Sequence, residues 1–236
     1  MGAEDQGVSG LPEPPIPRGF FILSGNETID IFYRSLTALL PPGGTVLDLA
    51  CGDGLFLKAA LAAGARAAEG VEISQSGVLA CVQAGLTVHH GDITEGLTSY
   101  TDHSFDCVSL IRSLELFDRP EPVLDEMLRV GRFALVTFNN YGNLRRDLRR
   151  WTTGILPGSK PTRLGGPPAR ITLPHLKLYC GHADIRLEKV VPVPRTTLST
   201  VCSEWFSEEI AAVLSRPLRA NPQEPVQLPL TDRTQP

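Results

Sequence analysis

Apolar and polar positions along this chain follow two alternating periods. Short, nearly continuous apolar runs, typical of buried strands, alternate with stretches whose apolar residues recur every third or fourth position, typical of amphipathic helices. The strand-like runs lie at about 45–50, 67–73, 86–90, 105–111 and 132–138, and the helical stretches at 54–63, 75–84 and 120–130. Alternation of this kind predicts an α/β fold in which helices cover both faces of a parallel sheet.

Elements outside this repeat are less regular. A helix is predicted before the first strand, from Ser24 to about Leu40, because apolar residues recur there at helical spacing. Pro41 ends this pattern. Later in the chain, 173–180 reads as a short helix and 187–193 as a sixth strand, while the pattern at 209–214 fits a helix or a strand equally well.

Proline and glycine mark the expected domain boundaries. Residues 1–18 and 218–236 are proline-rich and have few core-forming side chains, so we expect two disordered tails around one domain at 19–217. Within that domain, 154–170 is rich in glycine and proline and is predicted to be a loop.

The first strand-to-helix connection carries the strongest chemical signal. The apolar run ending at Leu49 continues into Ala50-Cys51-Gly52-Asp53-Gly54, and a helical pattern follows. Glycine has no Cβ and tolerates positive φ, so such a loop lets backbone amides approach a ligand closely. The free amides of a helix N-terminus favour a nucleotide-type ligand at this edge of the sheet. Glycines at this position can also serve only a tight turn.

Acidic residues recur at the ends of the first three predicted strands. Asp48 ends the first run, Glu72 lies about 20 residues beyond the glycine loop, and Asp92 follows the third run. An acid at the position of Glu72 is typical of residues that bind ribose hydroxyls. Because the carboxyl ends of parallel strands meet at one edge, these three acids are expected to form a binding rim.

The sequence Asp48-x-Ala50-x-Gly52-x-Gly54 resembles motif I of class I S-adenosylmethionine (SAM) methyltransferases, in which Ala50 replaces a residue that is mostly glycine. The resemblance implies that Glu72 holds the ribose and that Asp92 and Ile93 read the adenine. It implies SAM or S-adenosylhomocysteine (SAH) as ligand. The predicted cofactor-binding residues are Asp48, Ala50, Gly52, Asp53, Gly54, Glu72, Ile73, Asp92 and Ile93.

A narrower resemblance covers about 44–145 and, in patches, 185–217. Segments such as Gly70-Val71-Glu72-Ile73 and Leu124–Arg132 are similar to the methionine-biosynthesis family MetW. The resemblance implies a seven-stranded, mostly parallel sheet in which 209–214 is a last, antiparallel strand. It further implies that this chain has a partner, homoserine O-acyltransferase, which is an enzyme of methionine synthesis.

Composition argues against nucleic-acid binding, membrane insertion, secretion and metal binding. The net charge of −4 gives no reason to expect nucleic-acid binding. The sequence contains no run of 18 apolar residues, so we expect no membrane-spanning helix. The acidic N-terminus lacks the apolar core of a signal peptide, so we expect no signal peptide. Five scattered cysteines without a C-x-x-C pair indicate reduced thiols, so we expect a cytoplasmic protein without a metal site.

Three assignments stay open at this level. Asp53 either lines the cofactor loop or only caps the following helix. Arg145, Arg146, Arg149 and Arg150 form either a docking face or a solvated helix surface. Glu115 could serve as a general base, but no neighbouring group in the sequence supports that role, so no catalytic residue is assigned.

Two main functions follow. The first is a MetW-like SAM-binding protein that supports homoserine O-acylation together with a partner acyltransferase. The alternative is a SAM-dependent methyltransferase acting on a small molecule, and a third interpretation is a module that binds SAM or SAH only as a signal. Methyl transfer from a sulfonium needs mainly positioning, so the absence of an assigned catalytic pair does not decide between them.

Overall fold

The computed structural model describes residues 27–139, 172–193 and 209–217. Seven strands occupy Thr45–Leu49 (β1), Ala67–Glu72 (β2), Thr87–His90 (β3), Phe105–Leu110 (β4), Gly131–Asn139 (β5), Arg186–Pro192 (β6) and Glu209–Ser215 (β7). The α-helices of these ranges are Glu27–Thr37 (α1), Leu55–Ala62 (α2), Gln75–Gln83 (α3), Glu121–Val130 (α4) and Leu173–His182 (α5). Short 3-10 turns lie at Ile93–Glu95 and Leu114–Leu116.

All seven strands belong to one sheet in the order β3-β2-β1-β4-β5-β7-β6. Strands β1 to β5 are mutually parallel, whereas β7 runs antiparallel to both β5 and β6. The predicted α/β fold, with a seven-stranded sheet and a last antiparallel strand, is therefore confirmed. The ambiguous segment at 209–214 is a strand whose residues are all buried, because it lies between β5 and β6 and has no exposed face.

The core divides into one cluster on each face of the sheet. One face carries α4 and α5 over large side chains such as Leu110, Met127 and Phe138. The other carries α1 and α2, with Phe32, Leu36 and Phe56 almost completely buried. Helices on both faces leave the strand ends as the place where polar groups can gather.

Strand order places a crevice at the centre of the carboxyl edge. From β1 the chain moves outward to β2 and β3, then returns to β4 on the other side of β1. The junction of β1 and β4 is thus the topological switch point, where ligands bind in open α/β sheets. In register, Val71, Leu49 and Leu110 lie side by side, so the residues that follow them face the same crevice.

Some sequence predictions fall outside the described residues. These are the tails at 1–18 and 218–236, the arginines between Arg145 and Arg150, and the loop at 154–170. The proposed domain limits at 19 and 217 stay a prediction. In the ranges that the structure covers, every helix is too short or too polar to span a lipid bilayer.

Candidate functional site

The loop between β1 and α2 has an unusual backbone. Ala50, Gly52 and Gly54 all have left-handed φ values, of 53°, 58° and 77°. Glycine adopts this region freely, but an alanine there costs roughly 1–2 kcal/mol. Ala50 therefore keeps the backbone shape that its more usual glycine would give, at the cost of local strain.

The two glycines of this loop play different parts. An ideal Cβ on Gly54 would lie 2.4 Å from Leu86 Cδ1 and 2.9 Å from Cys81 Sγ, so this position has no room for a side chain. An ideal Cβ on Gly52 has no heavy atom within 4 Å, so it borders open space. Gly54 thus fits the loop against α3, and Gly52 faces the crevice.

Glu72, at the end of β2, joins two loops through its carboxylate. Its Oε2 accepts a hydrogen bond of 2.8 Å from the amide of Gly52, and its Oε1 accepts one of 2.8 Å from the amide of Ser74. Burial acts to raise the pKa of Glu72, but the bonds from these amides outweigh burial and hold the pKa below its ordinary value. The residue is ionised at neutral pH, as a ribose-binding carboxylate must be.

Asp48 is the most buried acid of the predicted rim, with 2% of its surface exposed. Burial raises its pKa to about 7, helped by the nearby charge of Glu72 and opposed by the hydroxyl of Ser109. That hydroxyl donates to Asp48 Oδ1 at 2.7 Å. Around neutral pH the carboxyl group therefore exists in both protonation states, and a nearby cation would favour the ionised one.

Asp92 and Ile93, which are predicted to read the adenine, follow β3, and the predicted cofactor residue Ile73 follows β2. Asp92 Oδ1 accepts from the amide of Thr94 at 2.8 Å and from its hydroxyl at 2.7 Å, which closes the turn and lowers the pKa of Asp92. Ile93 packs partly on the core, whereas Ile73 is 60% exposed at the end of β2. An exposed isoleucine beside a buried acid leaves an apolar surface next to the rim.

Asp53 does not cap the following helix. The N-cap of α2 is Gly54, where no side chain accepts from the first turn, and Asp53 is exposed. The capping alternative is therefore wrong, because the helix begins one residue later than a cap at Asp53 would require. Its place in the cofactor loop stays a prediction.

On the other side of the switch point, sequence reasoning missed an ion pair. The guanidinium of Arg112 donates to both carboxylate oxygens of Glu209 at 3.0–3.1 Å, and its Cζ lies 3.8 Å from the centroid of the Phe32 ring. Glu209 has 2% of its side chain exposed, against 48% for Arg112. The two residues are 97 positions apart, so no local motif announces them.

Tyr33 on α1 links the two sides electrostatically. Burial, reinforced by the charge of Asp48, raises the pKa of the Tyr33 hydroxyl to about 12, and Arg112 opposes the shift. Asp53 and Glu209 also act on it. The acids of the β1 loop and the Arg112–Glu209 pair therefore all lie near enough to Tyr33 to act on the pKa of its hydroxyl.

Glu115 is engaged in a structural contact. It is 6% exposed, and its Oε1 accepts from the backbone amide of Asn139 and, at 3.1 Å, from the Asn139 side chain. These bonds fix the end of β5 to the turn after β4. The contact argues against the general-base role considered for Glu115.

His89 and His90, at the end of β3, each contact a neighbouring polar group. His89 Nε2 lies 3.3 Å from Glu69, and His90 Nε2 lies 2.9 Å from the carbonyl oxygen of Ile73. Within 27–139, 172–193 and 209–217, no three His, Cys, Asp or Glu residues come together in a metal-binding arrangement.

Comparison with known proteins decides the family. The family described as methionine biosynthesis protein MetW matches residues 31–209, which is most of the chain. The chain belongs to the MetW family. A curated relative, the bifunctional methionine biosynthesis protein MetXA/MetW of Rhodopirellula baltica, is 35% identical over 122 residues. That match covers 48% of this chain but only 20% of the relative, so the matched stretch is a small part of that longer protein.

Solved structures similar to this MetW chain are methyltransferases. A SAM-dependent methyltransferase from Mesorhizobium loti is 16% identical with a TM-score of 0.58, over 82% of this chain and all of that one. Magnesium protoporphyrin IX methyltransferase from Synechocystis, solved with SAH, gives 16% and 0.59, over 80% and 84%. A chain from the complex between the Haloferax volcanii Trm112 methyltransferase activator and a methyltransferase gives 15% and 0.59, over 79% and 89%. At these identities the likeness establishes the fold.

The residues of the MetW rim are compatible with an adenosyl ligand. The open space at Gly52, the ionised carboxylate of Glu72 and the exposed face of Ile73 lie at neighbouring strand ends. The amides of Gly52 and Ser74 hold the two carboxylate oxygens of Glu72, and the Ser74 hydroxyl and the Ile73 amide also help to lower its pKa. Each carboxylate oxygen has about two acceptor sites, so a ribose hydroxyl can share these oxygens with the groups of the loop.

Proposed function

We propose that this MetW chain binds SAM or SAH at the carboxyl edge of its sheet and supports homoserine O-acylation together with a partner acyltransferase. The observation that carries the proposal is the Glu72 carboxylate, ionised and bonded to both the Gly52 and Ser74 amides, in a chain of the MetW family. The proposal joins a site for a small ligand to a role in methionine biosynthesis.

In the cofactor half of the proposal, each predicted residue has a distinct task. Glu72 accepts hydrogen bonds from the ribose, and the glycine loop supplies close backbone approach. Asp92, Ile93 and Ile73 contact the adenine, while Asp48 and Asp53 lie toward the amino-acid end. Asp48 then favours a cationic group, since ionising a buried carboxylate is easier beside a positive charge.

In the partner half, the fused relative provides the support. In Rhodopirellula baltica, MetXA and MetW are two parts of one bifunctional chain. Fusion holds two modules at high effective concentration, which is useful when they act on each other or in succession. We take the acyltransferase implied by the MetW resemblance as the partner that this chain binds. Both would act in the cytoplasm, which stays a prediction.

A small-molecule methyltransferase is the second candidate. The observation that favours it is the switch point at the β1–β4 junction, where the half-buried Tyr33 lies near both the β1 loop and the ion pair and could contact an acceptor. Methyl transfer from SAM relies mainly on orientation, so Glu115 being tied to Asn139 does not argue against it.

One assay separates the two candidates. Homoserine O-acyltransferase from the same organism is purified, and its rate is measured alone, with this chain, and with Glu72→Gln, each with and without SAH. The proposal predicts a complex by light scattering and an acylation rate that depends on the chain and on an intact Glu72. An unchanged rate together with no complex would contradict the partner role. Release of SAH from SAM by the isolated chain with cell metabolites would favour the methyltransferase.

A further inference from the structure

Arg112 occupies a strained position at the switch point. It follows β4 with a left-handed φ of 57°, a region that residues with a side chain rarely adopt. Its amide donates to the Thr137 hydroxyl at 2.9 Å, which holds this backbone shape. The strained Ala50 lies at the end of the adjacent strand β1, so non-glycine strain flanks the crevice on both sides. Strain of this kind concentrates where side chains are aimed at a ligand.

The guanidinium of Arg112 is held in place by its neighbours, but some of its hydrogen-bond donors remain unused among the described residues. Glu209 takes Nε and Nη2, and Phe32 covers one face of the plane. Among the described residues Nη1 has no hydrogen-bond partner, and about half of the side chain, 48%, remains exposed. A guanidinium held on two sides with donors left over is pre-organised for another planar anion, which a flexible lysine would not be.

The charges of the crevice are arranged in two groups. Asp48 and Asp53 lie on the side of the β1 loop, and the Arg112 cation lies on the side of β4, with Tyr33 close enough to sense all three. An amino acid carries an ammonium and a carboxylate on the same carbon. Its ammonium suits the acidic side and its carboxylate suits the arginine, so the crevice matches a zwitterion better than a single charge.

Distance along the sheet agrees with this arrangement. Glu72 and Arg112 lie at the ends of β2 and β4, which are separated by β1. Two strand spacings amount to about 10 Å. A ligand whose ribose is held at Glu72 and whose chain crosses the β1 loop would bring its far end toward Arg112.

We infer that Arg112 recognises the carboxylate of the amino-acid end of the adenosyl ligand, and thereby selects SAM or SAH over adenosyl compounds that lack an amino acid. Glu209 is a positioning residue, which holds the guanidinium in the orientation that presents Nη1 to the ligand. The inference rests on the proposed function, because it needs an adenosyl ligand at Glu72.

The test is calorimetric titration with two probes, SAH and 5′-methylthioadenosine, which has the adenosine and sulfur but no amino acid. The variants are Arg112→Gln, Arg112→Lys and the double variant Arg112→Gln/Glu209→Gln, which does not leave Glu209 buried without its cation. A lost charge-assisted bond corresponds to about a 10- to 150-fold weaker affinity. We expect that loss for SAH in Arg112→Gln and in the double variant, a smaller loss in Arg112→Lys, and 5′-methylthioadenosine affinity within twofold throughout.

Two results would overturn the inference. Equal losses for both probes in the double variant would mean that the pair only holds the fold, and unchanged SAH affinity would mean that Arg112 does not reach the ligand. In either case the wild-type protein still binds SAH, so the proposed ligand survives. If the wild-type protein binds neither probe, the proposed function fails and this inference fails with it.

Discussion

The carboxyl edge of the sheet is held in two different ways on the two sides of the β1–β4 junction. The loop half, residues 48–54 and 72–77, is closed by backbone amides that converge on Glu72 and by glycines that let segments touch. The ion-pair half is built from Arg112, Glu115, Asn139 and Glu209, which join β4, β5 and β7 through side chains. One half uses local backbone shape, and the other uses contacts between distant residues.

Because of this difference, the two halves should be sensitive to different kinds of substitution. In the loop half an added methyl group at Gly54 or Gly77 meets backbone or core atoms, so side-chain size is a sensitive property there, alongside the protonation of the buried Asp48. In the ion-pair half a removed charge leaves a buried partner, so charge is the sensitive property. The following predictions test that division, beginning with the largest expected effect.

Asp48 should make the stability of the loop half depend on pH. Burial raises its pKa to about 7 from an ordinary 3.8, so its stabilising contribution is complete below about pH 4 and is lost as pH rises through 7. A shift of this size corresponds to at most roughly 4 kcal/mol. Urea unfolding from pH 4 to 8 should show the wild type losing stability relative to Asp48→Asn. Parallel curves for the two proteins would contradict the raised pKa.

Removing the cation of the ion-pair half should destabilise the fold by about 3 kcal/mol, because Arg112→Met takes the guanidinium away from the buried Glu209 carboxylate. Adding Glu209→Gln should recover much of that loss. Arg66→Met is the control, since Arg66 is 72% exposed and 3.9 Å from Asp106, and it should cost under about 0.5 kcal/mol. Equal losses in Arg112→Met and Arg66→Met, measured by denaturant unfolding, would remove the charge argument.

Adding a methyl group in the loop half should cost about 2 kcal/mol at Gly77. A Cβ there would lie 2.8 Å from the Gly52 carbonyl oxygen and 2.7 Å from Glu72 Cγ. Gly181, in α5, has nothing within 4 Å of its Cβ position. The matched change Gly181→Ala should therefore stabilise the protein, by about 0.5–1 kcal/mol. Thermal unfolding shifts of the same sign for both variants would contradict this account.

Relieving the strain at Ala50 should give the smallest effect. Ala50→Gly removes a Cβ from a residue with φ of 53° and should stabilise the fold by about 1 kcal/mol. Ala84, which ends α3 with an ordinary φ of −83°, provides the control, and Ala84→Gly should bring no gain. A loss of stability in Ala50→Gly would show that the methyl group contributes more through its packing on the core than it costs in strain.

The two halves also differ in how far sequence alone predicts them. Gly52 and Glu72 lie 20 positions apart, and both are marked in the sequence, the first by glycine spacing after an apolar run and the second as the acid that ends the next strand. Arg112 and Glu209 lie 97 positions apart, and their pairing depends on β7 running antiparallel next to β5. No period or motif encodes such a contact, because it exists only after the sheet has formed.

In the loop half, the sequence does not predict the backbone conformation or the hydrogen-bond partners of individual residues. Sequence marks Ala50 as a departure from glycine, but the left-handed φ is a property of the folded loop. Glu72 was predicted to hold a ribose, and its bonds to the Gly52 and Ser74 amides add a second role that residue type alone does not reveal. Asp53 failed as a helix cap because the helix starts at Leu55 after a glycine.

The central claim, that the loop half binds an adenosyl ligand through Glu72, is tested most directly by titrating the protein with SAH in a calorimeter. The variants are Glu72→Gln and, as the matched control, Glu69→Gln, which removes a carboxylate from the same strand at the edge contact with His89. The account predicts binding by the wild type and by Glu69→Gln, with affinities within twofold, and an affinity about 10- to 150-fold weaker in Glu72→Gln. Wild-type affinity in Glu72→Gln, or no heat of binding in the wild type, would contradict it.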